Sequence, residues 1–303
     1  MGVTTSDGVR LHVEQDGPDD APVTVLFSHG FTANLGEWVL QRAALRERAR
    51  LVFYDQRGHG RSARGGRRGA TIDQLGRDLQ AVLTSTCPTG PVVLVGHSMG
   101  GMAVMSWARQ FPAEVGSRVV GVFLLSTAAG DLVQTGPLGY VVRVLTRLRL
   151  LAFWLTVLRW VSPLLERNRK RGTKVGQRYI RHYLFGRGDR GDAGLVTVVQ
   201  QMLESTPFTT SAAFYPTFLT HDETAGLPVL ATIPTTVLCG TDDRLTPHRH
   251  SEAMAEALGP QCELVLVPDA GHSVNITRAE LVDAALQRLL DRARPAIDHT
   301  TAV

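Results

Sequence analysis

The chain has 303 residues, 44% of them hydrophobic and 20% charged, with a formal net charge of +4. That length and balance exclude wholesale disorder and fit one large domain, or a core domain carrying an insert. Three cysteines, Cys87, Cys239 and Cys262, make no disulfide framework, and the opening "MGVTTSDGVRLHVEQDG" has no apolar run of leader-peptide length, so a reduced, cytoplasmic setting is expected.

Residues 23–30 (VTVLFSHG) read as a buried strand ending in a polar turn. LGEWVLQRAALRERA has helical spacing, with Trp38, Leu40 and Leu45 among charged residues. A short strand, 51–54, leads into the glycine-rich loop DQRGHGRS. TIDQLGRDLQAVLTS sets Ile72, Leu75, Leu79, Val82 and Leu83 on one helical stripe, with Thr71 or Asp73 placed to cap its start. PVVLVG is a strand, MGGMAVMSWARQFP a helix ended by Pro112, and RVVGVFLLST a further strand. The rhythm returns at TTVLCG (strand), HRHSEAMAEALG (helix), CELVLVP (strand) and TRAELVDAALQRLLDRAR (helix), with PAIDHTTAV as a frayed tail. Continuous apolar strands alternating with helices predict an α/β fold: a mostly parallel central sheet with helices on both faces.

The alternation breaks in residues 131–226, where helical stretches take over. The chain therefore divides into a first core part, 1–130, a helical cap, 131–226, a second core part, 227–293, and a tail, 294–303. Between residues 131 and 190 stand thirteen Lys or Arg against three Asp or Glu, which leaves the rest of the chain net acidic. A membrane-spanning helix needs about 20 nearly uncharged residues, and Arg143, Arg147, Arg149 and Arg159 interrupt the apolar run of residues 137–172. That run reads instead as a pair of cap helices. Phe153, Trp154, Leu155, Leu158 and Trp160 are expected to bury against the core and line an acyl tunnel, with the basic faces turned to anionic lipid.

GHSMG places Ser98 on a turn between a strand and a helix. In a parallel sheet such turns lie at the carboxyl edge, where open α/β folds bind ligands. Gly96 and Gly100 remove side chains that would collide in so sharp a bend. The free N–H groups at the start of the following helix face any charge that forms beside Ser98. This is a nucleophile elbow in its required context. A serine hydroxyl needs an adjacent base, usually a histidine oriented by a carboxylate, and this fold type orders them Ser, acid, His along the chain. His272 in LVLVPDAGHSVN follows one downstream strand; Asp242 and Asp243 in VLCGTDDRLTP follow another and compete for the acid role.

With HGF at 29–31, DQRGHGRS at 55–62, GHSMGG at 96–101, GTDDRLTP at 240–247 and GH at 271–272, the sequence resembles the α/β-hydrolase superfamily over residues 20–130 and 228–292. More narrowly it resembles the capped serine-hydrolase branch of esterases, monoacylglycerol lipases and carbon–carbon-bond hydrolases. The family's strand-end pattern G-x-x-D-x-x-x-P fits Gly240, Asp243 and Pro247, so the resemblance favours Asp243 as the acid, with Asp242 the alternative. It also implies an oxyanion hole from the backbone N–H groups of Met99 and Phe31, with His29 supporting the latter's loop. Epoxide and haloalkane hydrolases carry an aspartate at the elbow, and position 98 is serine.

Other polar residues read as structural. His97 is expected as a satisfied histidine beneath the elbow. DQRGHGRS lacks the ending of a phosphate loop and reads as a turn with an internal Asp55–Arg57 pair beside His59. Arg61, Arg64, Arg67 and Arg68 form a solvated basic cluster. No nucleic-acid motif accompanies the arginines, and no Cys/His cluster has zinc spacing; His248 and His250, two apart, would point to different faces of a helix.

The expectation is a Ser98–His272–Asp243 hydrolase of carboxylic esters with a fairly apolar acyl part, needing no metal or organic cofactor and acting on a small lipophilic ester. A carbon–carbon-bond hydrolase, an acyltransferase and a cofactor-free perhydrolase use the same residues and stay open, as does a ligand-binding receptor on a hydrolase scaffold. The oligomeric state has no signal in the sequence.

Overall fold

The computed structural model describes residues 1–132, 147, 150–167, 173–189 and 192–301. Of the sequence-level readings, those on Arg143 and Arg149, and on residues 133–146 and 168–172 of the cap, lie outside the described residues.

Two short strands, β1 (Gly2–Thr4) and β2 (Arg10–Asp16), open the chain. Then follow β3 (Thr24–Ser28), a 3₁₀ turn over Leu35–Trp38, α1 (Val39–Leu45) and β4 (Arg50–Tyr54). Next come α2 (Ile72–Thr86), β5 (Val92–His97), α3 (Met99–Gln110) and β6 (Val119–Leu125). Among the described residues helices then follow one another with no strand between them: α4 (Leu151–Arg167), α5 (Lys174–Tyr179) continued by a π-turn over Ile180–Leu184, α6 (Ala193–Ser205) and α7 (Phe208–Leu219). The core resumes with β7 (Thr235–Gly240), α8 (Arg249–Leu258), β8 (Cys262–Val267) and α9 (Ala279–Thr301).

The eight strands form one sheet in the order β1-β2-β4-β3-β5-β6-β7-β8. β2 pairs antiparallel with β1 and β4; every other pairing is parallel. The antiparallel strands at the N-terminus stand apart from the expected alternation. In β2, Leu11 and Val13 alone are buried, so its apolar signal is two residues long.

The parallel strands β3 to β7 are buried on both of the faces to which successive side chains point, while β8 at the edge is only partly buried. Leu26, Leu94, Val122 and Leu124 pack with Leu79, Val82 and Leu83 of α2 and Val104, Met105 and Trp107 of α3. Their strand neighbours Val25, Phe27, Val93, Val95 and Phe123 pack on the other side with Trp38, Leu45 and Val282, Leu286 and Leu289 of α9. Each such fully buried side chain contributes about 1.5–3 kcal/mol, so two-sided coverage is what makes the strands read as unbroken apolar runs. Thr71, not Asp73, caps α2: its hydroxyl accepts from the Gln74 N–H at 3.1 Å. Leu40 of α1 is exposed, in contrast to Trp38 and Leu45. α9 continues through residues 294–301, where a frayed tail was expected.

The chain leaves β3 for β4 on one side and then returns to β5 on β3's other side. The reversal opens a crevice at the carboxyl ends of β3 and β5. Gly30 and Phe31 follow one of these strand ends and Ser98 the other.

Two expectations are corrected here. The Arg57 guanidinium is fully buried, but it does not pair with Asp55: it donates to both oxygens of Asp78, at 2.6 Å each, and to those of Asp7 at 2.8 and 2.9 Å. Asp55 accepts instead from the N–H groups of Leu35 and Arg61, each at 2.8 Å, and so ties down the turn. In α4, Phe153 is 68% and Trp160 81% exposed, so neither buries against the core. Trp154 does turn inward, its ring 5.9 Å from that of Tyr215 in α7.

Candidate active site

Ser98 sits between the end of β5 and the start of α3 with φ 51° and ψ −117°. That conformation is costly for a residue with a Cβ. It is held by the sheet and the helix: the Ser98 N–H donates to the Leu125 carbonyl at 2.9 Å, and its own carbonyl accepts from the Met102 N–H and the Thr127 hydroxyl. The glycines around it are required by contact. A Cβ on Gly96 would stand 2.6 Å from the Gly100 carbonyl oxygen, and one on Gly100 would overlap the Ser28 carbonyl. Both backbones approach closely because the turn is so tight.

His272 arrives on the loop after β8 and Asp243 on the loop after β7. His272 Nδ1 lies 2.8 Å from Asp243 Oδ2. A carboxylate only accepts, so Nδ1 carries the hydrogen and Nε2 is left as the basic nitrogen. Asp243 is buried, and burial alone would push its carboxyl upward. The neighbouring His272 outweighs that together with the Leu245 and Thr246 N–H donors at 2.9 Å, and the group is held below the usual carboxylate range. The Thr246 hydroxyl adds a donor to Asp243 Oδ2 at 3.0 Å. Asp242 faces away from this pair, accepting from the backbone N–H of Arg187 at 2.8 Å and from its Nε at 3.0 Å.

Ser98, His272, Gly30 and Phe31 line one cavity of about 440 Å³. Among the described residues the Ser98 hydroxyl makes no hydrogen bond to His272; the two share the cavity wall. Met99, the first residue of α3, is fully buried, and its N–H belongs to the unpaired first turn of that helix. Away from this polar end the lining is largely apolar: Met102 of α3, Val199, Met202 and Leu203 of α6, Phe218 and Leu219 of α7, and Ile276.

His29 supports the loop, as expected. Its Nε2 accepts from the Gln56 N–H at 2.9 Å, and its carbonyl accepts from the Gln56 amide. His97 is buried and bonded on both nitrogens: Nε2 lies 3.1 Å from the His272 carbonyl and Nδ1 3.2 Å from Glu37 Oε1. Burial alone would lower the His97 imidazole, but the Glu37 charge and hydrogen bond, with the His272 carbonyl, outweigh it and hold it above its ordinary value. Glu37 also accepts from the Gly30 N–H at 3.1 Å. Sequence reasoning missed Glu37, because one acid beside Trp38 in an amphipathic stretch gives no sign of being buried. His59, fully buried, is pushed down to about 3 by burial and the neighbouring His29.

Comparison with known proteins gives the same architecture. Residues 23–279 match the family model described as alpha/beta hydrolase fold. A non-heme haloperoxidase of Rhodococcus erythropolis is 28% identical over 298 residues, covering 95% of this chain and 98% of that protein. A bifunctional esterase/perhydrolase of Acinetobacter calcoaceticus is 36% identical over 134 residues, a stretch spanning 44% of this chain and 46% of that relative. The structure of a thermophilic esterase from Thermogutta terrifontis superposes with a TM-score of 0.74 at 26% identity, covering 97% of this chain and 98% of the other.

Proposed function

The chain belongs to the alpha/beta hydrolase family, and we propose that within it this protein is a serine hydrolase of carboxylic esters with a fairly apolar acyl part. The observation that carries the reading is the buried Asp243–His272 pair at 2.8 Å, whose histidine lines the cavity that Ser98 also lines. Ser98 Oγ attacks the ester carbonyl while His272 Nε2 takes its proton, and Asp243 balances the imidazolium that results. The N–H groups of Met99 and Phe31 donate to the oxyanion. The alcohol leaves with the proton from His272, and water activated by the same nitrogen releases the acid and restores the Ser98 hydroxyl. The apolar cavity lining supports an apolar acyl group.

The test is labelling with a fluorophosphonate, followed by rates on esters of increasing acyl length. Ser98 is expected to carry the label, and rates to rise from acetate to medium chains. A preference for acetate would overturn the apolar-acyl reading, and labelling elsewhere would overturn the mechanism. The name of one relative favours one second reading, perhydrolysis. There hydrogen peroxide replaces water in attacking the acyl-enzyme, giving a peracid and free Ser98. Peracid formation in competition with hydrolysis, measured at rising peroxide, decides between the two.

A further inference from the structure

The helix α4 carries its apolar stripe on the wrong side for a core helix. Phe153, Val157, Trp160, Val161 and Leu164 are all exposed. At 100° per residue they occupy about 100° of the helix circumference. The opposite side is the packed one: Ser162 is buried, and Trp154, at the edge of the stripe, meets Tyr215 on α7. At the helix's carboxyl end Glu166 accepts from the Phe208 N–H at 2.7 Å. Tyr215 and Phe208 line the cavity, so α4 lies outside its α7 wall with the stripe facing away.

Cations surround this segment in sequence and stand exposed in the fold. Arg147 precedes α4 and Arg167 ends it. Lys174 and Arg178 are exposed on α5, which also exposes Val175 and Tyr179. The excess of thirteen cations over three acids between residues 131 and 190 belongs to this part of the chain. A second copy laid on the stripe would bring two such cationic segments together, whereas an anionic bilayer surface neutralises them while taking up the aromatic side chains. No helix among the described residues is long and apolar enough to cross a membrane, so the contact is interfacial.

We propose that the outward face of α4, with the exposed cations flanking it, docks on an anionic lipid bilayer surface. Phe153 and Trp160 enter the headgroup boundary, while Arg167, Lys174 and Arg178 meet the lipid phosphates. This contact is independent of the chemistry at Ser98. Tyr179, exposed and also lining the cavity, places the cavity wall beside the docked face.

The experiment is co-sedimentation of the full chain with vesicles of mixed phosphatidylglycerol and phosphatidylcholine, against vesicles of phosphatidylcholine alone. Partition is expected on the anionic vesicles and is expected to fall as salt rises. The double variant Phe153→Ser/Trp160→Ser, checked for native circular dichroism, is expected to partition roughly tenfold or more weakly. Lys174→Glu/Arg178→Glu leaves the stripe intact and is expected to weaken anionic binding alone. Absence of partition, equal partition on neutral vesicles, or unchanged partition in both double variants would each overturn the proposal. So would concentration-dependent dimers that the Phe153/Trp160 variant abolishes in a protein that ignores vesicles; that result would assign the stripe to a second copy.

Discussion

The ring of His97 reaches the backbone carbonyl of His272 at 3.1 Å, across 175 residues of sequence. Since a carbonyl only accepts, His97 Nε2 must donate. On its other side the ring meets Glu37, which also holds the Gly30 N–H beside the proposed oxyanion loop. One buried pair thus fastens the elbow, the Gly30–Phe31 loop and the His272 loop together. Its charge gives a signed pH dependence. The folded-state value of His97 is raised, so its contribution to stability is complete below the unfolded value of about 6.5 and is lost as pH rises through the folded value. Glu37→Gln is expected to cost roughly 1–3 kcal/mol at about pH 6 and less as pH rises. Urea unfolding of both proteins between about pH 5 and 9 measures this.

His59 acts with the opposite sign. It is held neutral down to about 3, so the unfolded chain binds its proton first as pH falls below about 6.5, and stability is lost on the acid side. Replacing it by asparagine, which keeps a donor for the Arg57 carbonyl that His59 Nδ1 meets at 3.0 Å, is expected to flatten that limb. The slope should fall by up to about 1.4 kcal/mol per pH unit between about pH 6 and 4.

Ser98 carries both the proposed chemistry and a backbone cost. Ser98→Ala is expected to reduce ester turnover by about 10⁴-fold or more. Ser98→Gly is expected to be equally inactive but more stable by about 1 kcal/mol, because φ 51° and ψ −117° suit glycine. Turnover and thermal unfolding on the same two variants check both halves.

The acid assignment rests on neighbouring aspartates with different partners. Asp243→Asn removes the charge beside His272 Nδ1 and is expected to cut turnover by several orders of magnitude, on the scale of about 10⁴. Asp242→Asn weakens a tie to Arg187, away from His272, and is expected to leave turnover within about threefold. Steady-state rates on a single ester compare them, and a larger loss in the second would reverse the assignment.

On the loop after β4, Arg57 is fully buried between Asp78 and Asp7. Asp78→Ala strands part of that charge in the interior and is expected to cost about 3–5 kcal/mol. Chemical denaturation measures it, and ester turnover of the folded fraction is expected to stay near wild type.

The elbow, the parallel strands and a cap at Thr71 or Asp73 were legible because each is a local pattern: a run, a spacing or a residue type beside a helix start. The choice of Asp243 as the proposed acid needed the strand-end pattern of the family as well, since Asp242 and Asp243 are indistinguishable by type. What escaped is what depends on distant partners. Arg57 is close in sequence to Asp55, yet it crosses to Asp7 and Asp78. Glu37 meets His97 from 60 residues away. In α4 the apolar residues were evident, but the sequence could not say which of them would be covered, because that is decided by where α7 lies.

The separation of His97 from its carbonyl partner has a kinetic consequence. Contacts of such long sequence separation form only after most of the intervening chain has ordered. A fragment or half-built intermediate therefore holds Ser98 without His272, its proposed base, and turnover during refolding should trail the recovery of helix signal. On the proposed mechanism, a newly made chain is expected to stay chemically silent until its last strand has docked.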